Sequence, residues 1–575
     1  MKKKVIATIM ASAMCVSSLA GCGGNQGTPA STTAANSAAT TAANTATTAA
    51  ATTEAPTEAT VQQTWPDGQV IKWLIRDQQV TDDYTRYSEL KTIEMIEEEL
   101  HVDIQFEALN DDDVVLAKLT GGQLPDIISW KWNDFYSEKG GIPGMYADGI
   151  SIDLTEMINT KMPNLQAIFE KYPNVRKDMT NDNGQYLFFM RINPMQTQQE
   201  LMAKTSTGLV IRQDWLDNVG MEVPLNMAEW YDVLTAFKTM DPNGNGELDE
   251  IPFDASSGGL MLFEAAFAMD AAQYIDQDTK KVDYGARTQK YKAYLEEMNK
   301  WYSEGLIGNL YTEDGKQVKS SDPGGSDESI IADLVGSWKG LANNNTKWTP
   351  KLIEKNPAAA ITPVTWPAAS NGVAYSERSD AATTVASETT LVTTDCQCLD
   401  AVAAVIDWMY SERGSELMTW GVEGETFEVA ADGTKSLIKD PETGVQKKVI
   451  LPNGKEVDYY KMYGNQSSYM PSFGNTDVDL ATRDEWYVNA SAVWAEADFS
   501  LRYPKAITLS AEQAEKVSAA SNAGLFDYIA EMKWKFITGQ EPLSNFDTYV
   551  ANLERMGVSD IVAVYQQAYD NYMAK

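Results

Sequence analysis

The residues best arranged for chemistry lie in the run 241–252, DPNGNGELDEIP. Side-chain oxygens recur at Asp241, Asn243, Asn245 and Asp249. Glu247 holds the seventh position, and Gly246 stands where the chain must turn sharply. Oxygen donors alternating around a turn suit a hard cation, and calcium takes six to eight of them. A calcium loop of the EF-hand type ends in a bidentate Glu at its twelfth position. Here that position is Pro252, and Glu250 is the nearest replacement. The run therefore predicts a variant calcium site with Asp241, Asn243, Asn245, Glu247, Asp249 and Glu250 as donors, the ion being structural. The competing reading is an ordinary Asn/Gly/Asp turn.

Other chemistries are restricted by residue counts. The 575 residues include one His, His101, and four Cys. A zinc site of several imidazoles is excluded, and a His-bearing catalytic triad would have to use His101, just before an expected strand. Cys396 and Cys398 form a Cys-x-Cys pair whose closure into a disulfide would be strained, so free or loosely redox-active thiols are expected. The balance of 82 acidic against 46 basic residues, a net charge of −36, argues against nucleic acid or an anionic lipid surface as partner.

The elements that must position these residues read as strands alternating with helices. Residues 70–76, VIKWLIR, predict a strand, and 81–100 a helix with Leu90, Ile93, Ile96 and Leu100 on one side. Residues 101–107 predict a second strand and 127–129 a third. Between them, Asn110 is placed to cap a helix through Val114, Val115 and Leu119 that Gly121-Gly122 ends. Such alternation predicts a parallel sheet covered on both faces, with ligands bound beyond the carboxyl ends of its strands. A second unit starts near Gly208 with a strand at 209–212. It continues with a helix capped by Asn226, whose Trp230, Leu234 and Phe237 face a core, and this helix leads into the 241–252 loop. Another helix is expected over 291–306. About 510 residues of folded chain suffice for at least two domains.

The chain begins with a different kind of segment. Residues 1–21 carry Lys2, Lys3 and Lys4 and then a short apolar stretch, the pattern of a signal peptide rather than of a spanning helix. Leu19-Ala20-Gly21-Cys22 resembles the lipobox of bacterial lipoproteins, which implies cleavage before Cys22 and its acylation, for instance with palmitate. Residues 23–64 are dominated by Ala, Thr, Ser, Gly, Asn and Pro, with no aromatic before Trp65. They predict a disordered tether spanning on the order of 35 Å.

Further stretches follow in a specific order. They are Arg212-Gln213-Asp214-Trp215-Leu216 with Gly220 and Pro224, the 241–252 loop, and Trp301-Tyr302-Ser303-Glu304-Gly305-Leu306. Then come Val405-Ile406-Asp407-Trp408-Met409-Tyr410-Ser411-Glu412-Arg413-Gly414 and Trp420-Gly421-Val422-Glu423-Gly424. With the lipobox and tether, these resemble the bacterial extracellular solute-binding proteins of the carbohydrate type (family 1), the lipoprotein receptors of ABC importers. The resemblance is to the larger members that carry a calcium loop.

That resemblance implies a periplasmic-binding-protein-like α/β fold, two α/β lobes joined by a hinge of two or three crossings, with the ligand in the interlobe cleft. Lobe one would hold residues 65–205 and about 361–425. Lobe two would hold 206–360, with the calcium loop on its outer surface, and residues 426–575 are left unassigned. The function implied is a monomeric, non-enzymatic receptor at the extracytoplasmic face of the cell membrane, held there by lipid alone. It would close on a carbohydrate, an oligosaccharide, and deliver it to the permease subunits of an ABC transporter. The competing classes are a glycan-degrading enzyme with a paired carboxylate site, and a carbohydrate sensor or adhesin without a transporter.

A sugar needs an apolar plate for its C–H face and fixed polar groups for its hydroxyls. The groups placed to supply them are Arg76 and Asp77, Trp130 with Trp132, Asn133 and Asp134, Arg212 with Asp214 and Trp215, Trp338 beside Lys339, and Trp366 near a hinge crossing. Trp230, Phe237 and Trp408 are assigned to the core by their helical spacing.

Overall fold

The computed structural model describes residues 63–77, 86–193, 195, 197–308, 318–319, 326–376, 388–450, 454, 456–464, 469–474 and 476–575. The signal segment, Cys22 and nearly all of the tether lie outside the described residues.

Four strands of the first half open one sheet: β1 (Gln69–Arg76), β2 (Val102–Leu109), β3 (Ile127–Trp130) and β4 (Phe189–Ile192). The chain then lays down β5 (Thr207–Arg212) and β6 (Ile251–Asp254), a separate hairpin of β7 (Gln273–Asp276) and β8 (Lys281–Tyr284), then β9 (Ile307–Gly308), β10 (Val335–Leu341) and β11 (Ile361–Val364). It returns with β12 (Thr389–Val392). Two small hairpins follow, β13 (Phe427–Val429) with β14 (Lys435–Leu437) and β15 (Lys448–Ile450) with β16 (Glu456–Asp458), before β17 (Ser472–Phe473). The first sheet has the order β17-β4-β12-β3-β1-β2 and the second β11-β5-β10-β6-β9.

Neither sheet is purely parallel. In the first, β12 runs against β3 and β4, while the remaining pairs are parallel. In the second, β5 runs against both of its neighbours, β10 and β11, while β6 is parallel to β10 and β9. The direction of β5 decides where its ends lie, and no local pattern announces it.

Local rules account for most of the elements. β1 reads QVIKWLIR and buries Ile71, Trp73, Leu74 and Ile75, the near-continuous burial of a strand covered on both faces. The helix expected over 81–100 starts later, at Lys91, because Leu90 is extended (φ −73°, ψ 124°); residues 81–85 lie outside the described set. It buries Ile93, Ile96 and Leu100 and ends at His101, which takes a left-handed conformation (φ 51°). The next helix, Asp112–Thr120, is capped by Asp111 and not by Asn110: the Asp111 carboxylate accepts from the backbone N–H of Asp113 (2.9 Å) and Val114 (3.2 Å). Asn226 does cap Met227–Thr239, and Trp230, Leu234 and Phe237 are buried on that helix. The last helix of this region runs Gln289–Ser303.

Each sheet has its own hydrophobic core. The first is filled from residues 71–192 together with a returning segment that includes Leu391, Val405, Ile406 and Met470. The second takes residues from β5 onward and then Leu501, Leu525, Phe536, Phe546, Leu553 and Ile561 from the C-terminal helices. β11 at Ile361–Val364 pairs with β5, so the second sheet continues past residue 360. The helix Glu485–Trp494 is seated on β5: the Trp494 indole donates to the Leu209 carbonyl at 3.0 Å, over Gly208. Three crossings join the two cores, from β4 to β5, from β11 to β12, and from β17 to the helices after residue 476. Among the described residues no helix is long and apolar enough to cross a membrane.

Candidate functional site

All three crossings use one end of each sheet. In the first sheet this is the carboxyl end of β1, β3, β4 and β17, where antiparallel β12 begins. In the second it is the carboxyl end of β6 and β10, where antiparallel β5 begins.

At that end of the first sheet the register puts Arg76 opposite Leu109 and Trp130 opposite Thr389. The Arg76 guanidinium lies over the Trp130 ring, 4.9 Å from its centroid. Asp112 ties the two together, accepting from the Trp130 indole N–H at 3.0 Å and pairing loosely with Arg76 at 4.0 Å. Next along the edge, Lys131 faces Glu388 at 3.6 Å. The Tyr469 hydroxyl, pushed up to about 12 by burial and by the Glu388 carboxylate, stays neutral at physiological pH, and its oxygen accepts from the Arg76 guanidinium. Trp130 is only 1 % exposed, so the result is a buried indole that fixes a cation over it, with polar groups at its edge. Asp112, Glu388 and Tyr469 carry no signal in the sequence. Asp112 is one residue past the cap and has no special spacing, while Glu388 and Tyr469 arrive from segments more than 250 residues downstream.

The other residues singled out in the first half have different surroundings. Trp132 is fully buried, its indole donating to the Ile128 carbonyl at 3.3 Å and its ring edge-on to Phe135. Asn133 accepts from the N–H of Ile142 and lines a cavity of about 680 Å³. That cavity opens between the turn after β3, at Glu138 and Gly140, and the segment carrying Thr508, Ser518 and Asn522. Asp134 is exposed, and Asp77 continues from Arg76 with its N–H on the Leu109 carbonyl.

In the second sheet the structure separates the candidates. Thr207 pairs with Leu341 and Ile211 with Ser337, so Arg212 stands where β10 begins, at the far end from Asp254 and Lys339. Arg212, Asp214 and Trp215 are therefore corrected to an outer position. The Arg212 side chain is completely buried and held by Asp214 (2.6 Å) and Asp333 (2.5 Å), and Trp215 packs edge-on to Phe237. The reading of that strand's carboxyl end as a ligand edge assumed a parallel strand, which β5 is not. Trp338 is likewise core, edge-on to Trp348, and Trp366 donates to the Trp494 carbonyl at 3.3 Å. At the crossing end, Lys339 donates to the Ser257 carbonyl and the buried Asp254 carboxylate accepts from the N–H of Ser256.

The 241–252 loop lies at the outer end, after Met227–Thr239, and runs directly into β6 instead of a second helix. Its oxygens turn inward. The Asp241 carboxylate accepts from the N–H groups of Asn245 and Gly246, Asn243 Oδ1 from Asn245, and Asn245 Oδ1 from Glu247. Gly244 (φ 69°) and Gly246 (φ 87°) supply the left-handed turns that alternate donors require. Glu250 is only 2 % exposed, and neither of its carboxylate oxygens has a hydrogen-bond partner in another residue. Burial, with Asp241 and Asp249 nearby, holds its carboxyl above the usual range. A buried carboxylate without a donor is costly unless a cation meets it, and the donor set, all oxygen, fits a hard divalent ion. Asn243 also donates to the Asp333 carbonyl at 3.0 Å, linking the loop to the Arg212 ion pairs.

Comparison with known proteins gives the fold a context. No family model matches the chain. It is 26 % identical over 470 residues to the fructooligosaccharide ABC transporter substrate-binding protein FusA of Streptococcus pneumoniae, covering 79 % of this chain and 82 % of that one. It is 22 % identical over 474 residues to the polygalacturonan/rhamnogalacturonan-binding protein YtcQ of Bacillus subtilis, covering 80 % and 83 %. The structure matches that of S. pneumoniae FusA in complex with kestose at a TM-score of 0.63, with 21 % identity, over 88 % of this chain and all of that one. An EF-hand mutant of FusA matches at 0.62, with 22 % identity and the same coverage. Two α/β cores joined by three crossings give this chain the fold of these substrate-binding proteins of ABC transporters, and it is similar to the named relatives along most of their length.

Proposed function

We propose that the protein is a receptor that captures an oligosaccharide between two lobes and presents it to an ABC importer, without catalysis. Lobe one comprises residues 65–193 with 388–474, and lobe two comprises 197–376 with 476–575. The observation that carries this reading is the Arg76–Trp130–Asp112 group at the end of the first sheet from which the crossings leave. Trp130 is buried beneath Arg76 and fixes it in place, and the polar groups Arg76, Asp112, Lys131 and Glu388 suit the hydroxyls of a sugar. Arg76 and Lys131 both have carboxylate partners, which favours a neutral glycan over a polyuronate. The relatives named for fructooligosaccharide and pectic-glycan binding support the class of ligand. Lobe closure shifts an existing open–closed equilibrium, so the liganded form gains a composite surface that a permease can recognise. We infer that Cys22 carries the lipid that holds the receptor, as a monomer, outside the cytoplasmic membrane.

The loop's part is to hold calcium through Asp241, Asn243, Asn245, Glu247, Asp249 and Glu250, with the orphaned Glu250 carboxylate as the supporting observation. At the outer end of the second sheet the ion braces the lobe and does not meet the ligand. The test of function is a thermal-shift and calorimetric screen with fructooligosaccharides, neutral gluco- and manno-oligosaccharides and oligogalacturonides. Saturable binding of a neutral oligosaccharide without product formation is expected. Cleavage of the glycan, or no binding across the panel, overturns the reading.

A further inference from the structure

Away from the ligand end, the loop after β12 folds against the start of β3. The Thr393 N–H donates to the Asp126 carbonyl at 3.0 Å, the Thr393 hydroxyl to the Pro125 carbonyl at 2.7 Å, and the Leu124 N–H to the Asp395 carboxylate at 2.8 Å. This lacing brings the Cys396 and Cys398 thiols to a third group, the Asp126 carboxylate. All three donor atoms lie within 4.8 Å of one another. Both cysteines are buried and free, with their sulfurs 3.9 Å apart.

We propose that Cys396, Cys398 and Asp126 form a binding site for a soft-to-borderline divalent cation of the zinc type. The spacing suits it. Two thiolates on a tetrahedral zinc at about 2.3 Å each stand about 3.8 Å apart, whereas a disulfide would need about 2.0 Å. The donor set of two sulfurs and one oxygen selects against calcium and magnesium, which take oxygen, so the site is chemically distinct from the Asp241 loop. The cation would have three protein ligands and one open position. A cavity of about 750 Å³ lies beside it, lined by Pro125 and Asp395, the neighbours of two ligands. Binding breaks two S–H bonds and forms two metal–sulfur bonds, and about two protons leave to the buffer. Asp126 also accepts from the Lys72 N–H at 2.8 Å, which orients its carboxylate as a supporting hydrogen bond should. The site sits at the amino end of β3, four residues or roughly 13 Å from Trp130, so its occupancy leaves the glycan site intact.

The test uses the full chain, reduced, freed of metal and kept in excess calcium so that the oxygen site is filled. Titration with cobalt(II) should give an intense near-ultraviolet thiolate-to-cobalt band that saturates at one equivalent and is abolished by zinc. Cys398→Ser should remove the band. Asp126→Asn, which keeps both thiols, should weaken cobalt and zinc binding by at least about tenfold, as loss of a ligand or its support does. Absence of the band in the wild-type chain overturns the proposal, as does an unchanged affinity in Asp126→Asn. Protein isolated without reductant that shows no titratable thiol, its pair closed as a disulfide, overturns it equally.

Discussion

Replacing Glu250 with Gln should change the stability of this protein in opposite directions with and without calcium. In the metal-free protein the Glu250 carboxylate is buried and receives no hydrogen bond from another residue. Leaving a buried polar group unsatisfied costs about 1–3 kcal/mol, and a charge more. Exchanging the carboxylate for a neutral amide of the same shape removes the charge but keeps a polar group there, so it should stabilise the calcium-free form near pH 7.5 by the excess cost of the charge, about 1 kcal/mol. For a lobe of roughly 250 residues, that is about 2–4 °C in Tm. With calcium at a hundred times its Kd, the wild-type chain should gain about 2.7 kcal/mol by linkage, and the variant should gain little. The pH dependence follows from the same group. Its folded pKa lies above the unfolded one, so the metal-free protein loses stability as pH rises from the ordinary Glu range through the raised value. Calcium restores that stability above the raised value, and its effect fades as pH falls through it, because protons then compete for the carboxylate. Differential scanning fluorimetry with chelator and with added calcium, at several pH values, reads all of this. A Glu250→Gln protein that melts lower than wild type in chelator, or that responds to calcium as fully as wild type, would refute the reasoning.

Three further outcomes are expected. Arg212→Met leaves Asp214 and Asp333 facing each other almost buried, and should cost about 3–5 kcal/mol in urea unfolding while changing glycan affinity less than twofold. An affinity loss in a folded Arg212→Met protein would return Arg212 to the ligand site. Arg76→Ala removes the cation over Trp130 and should weaken oligosaccharide binding by about three- to tenfold in calorimetry, about 1 kcal/mol, with little change in Tm. Equal affinity would take Arg76 out of the site. Gly208→Ala puts a Cβ into the Trp494 indole and should destabilise by about 1–3 kcal/mol in urea unfolding. No loss would mean that the Glu485–Trp494 helix is not seated on β5.

Features carried by neighbours in the chain are legible from the amino-acid sequence alone. The side-chain oxygens of Asp241, Asn243, Asn245, Glu247 and Asp249 repeat every second residue, so chain geometry gathers them once Gly244 and Gly246 allow the turn. β1, the Asn226 cap and the buried face of Met227–Thr239 follow in the same way from spacing and local hydrogen bonds. Where two adjacent residues compete, as Asn110 and Asp111 do for one helix start, spacing does not choose. The carboxylate whose oxygen reaches two N–H groups does.

What the amino-acid sequence determined by itself, then, is the set of elements, the loop that suits a cation, and an aromatic at the end of β3. Only the tertiary structure decided which ends of the strands face the crossings. β5 runs against β10, a pairing made across more than 120 residues, and that one reversal carries Arg212, Asp214 and Trp215 to the outside. It likewise decided the partners of Arg76 and Lys131, because Tyr469 and Glu388 return from the far half of the chain. It also brought Asp126 to Cys396 and Cys398. The physical reason is the range of the interactions. Turns, caps and periodic faces are set within a few residues by backbone geometry, whereas strand direction and long-range partners are chosen by which surfaces bury each other, and no short window of sequence contains both sides of that choice.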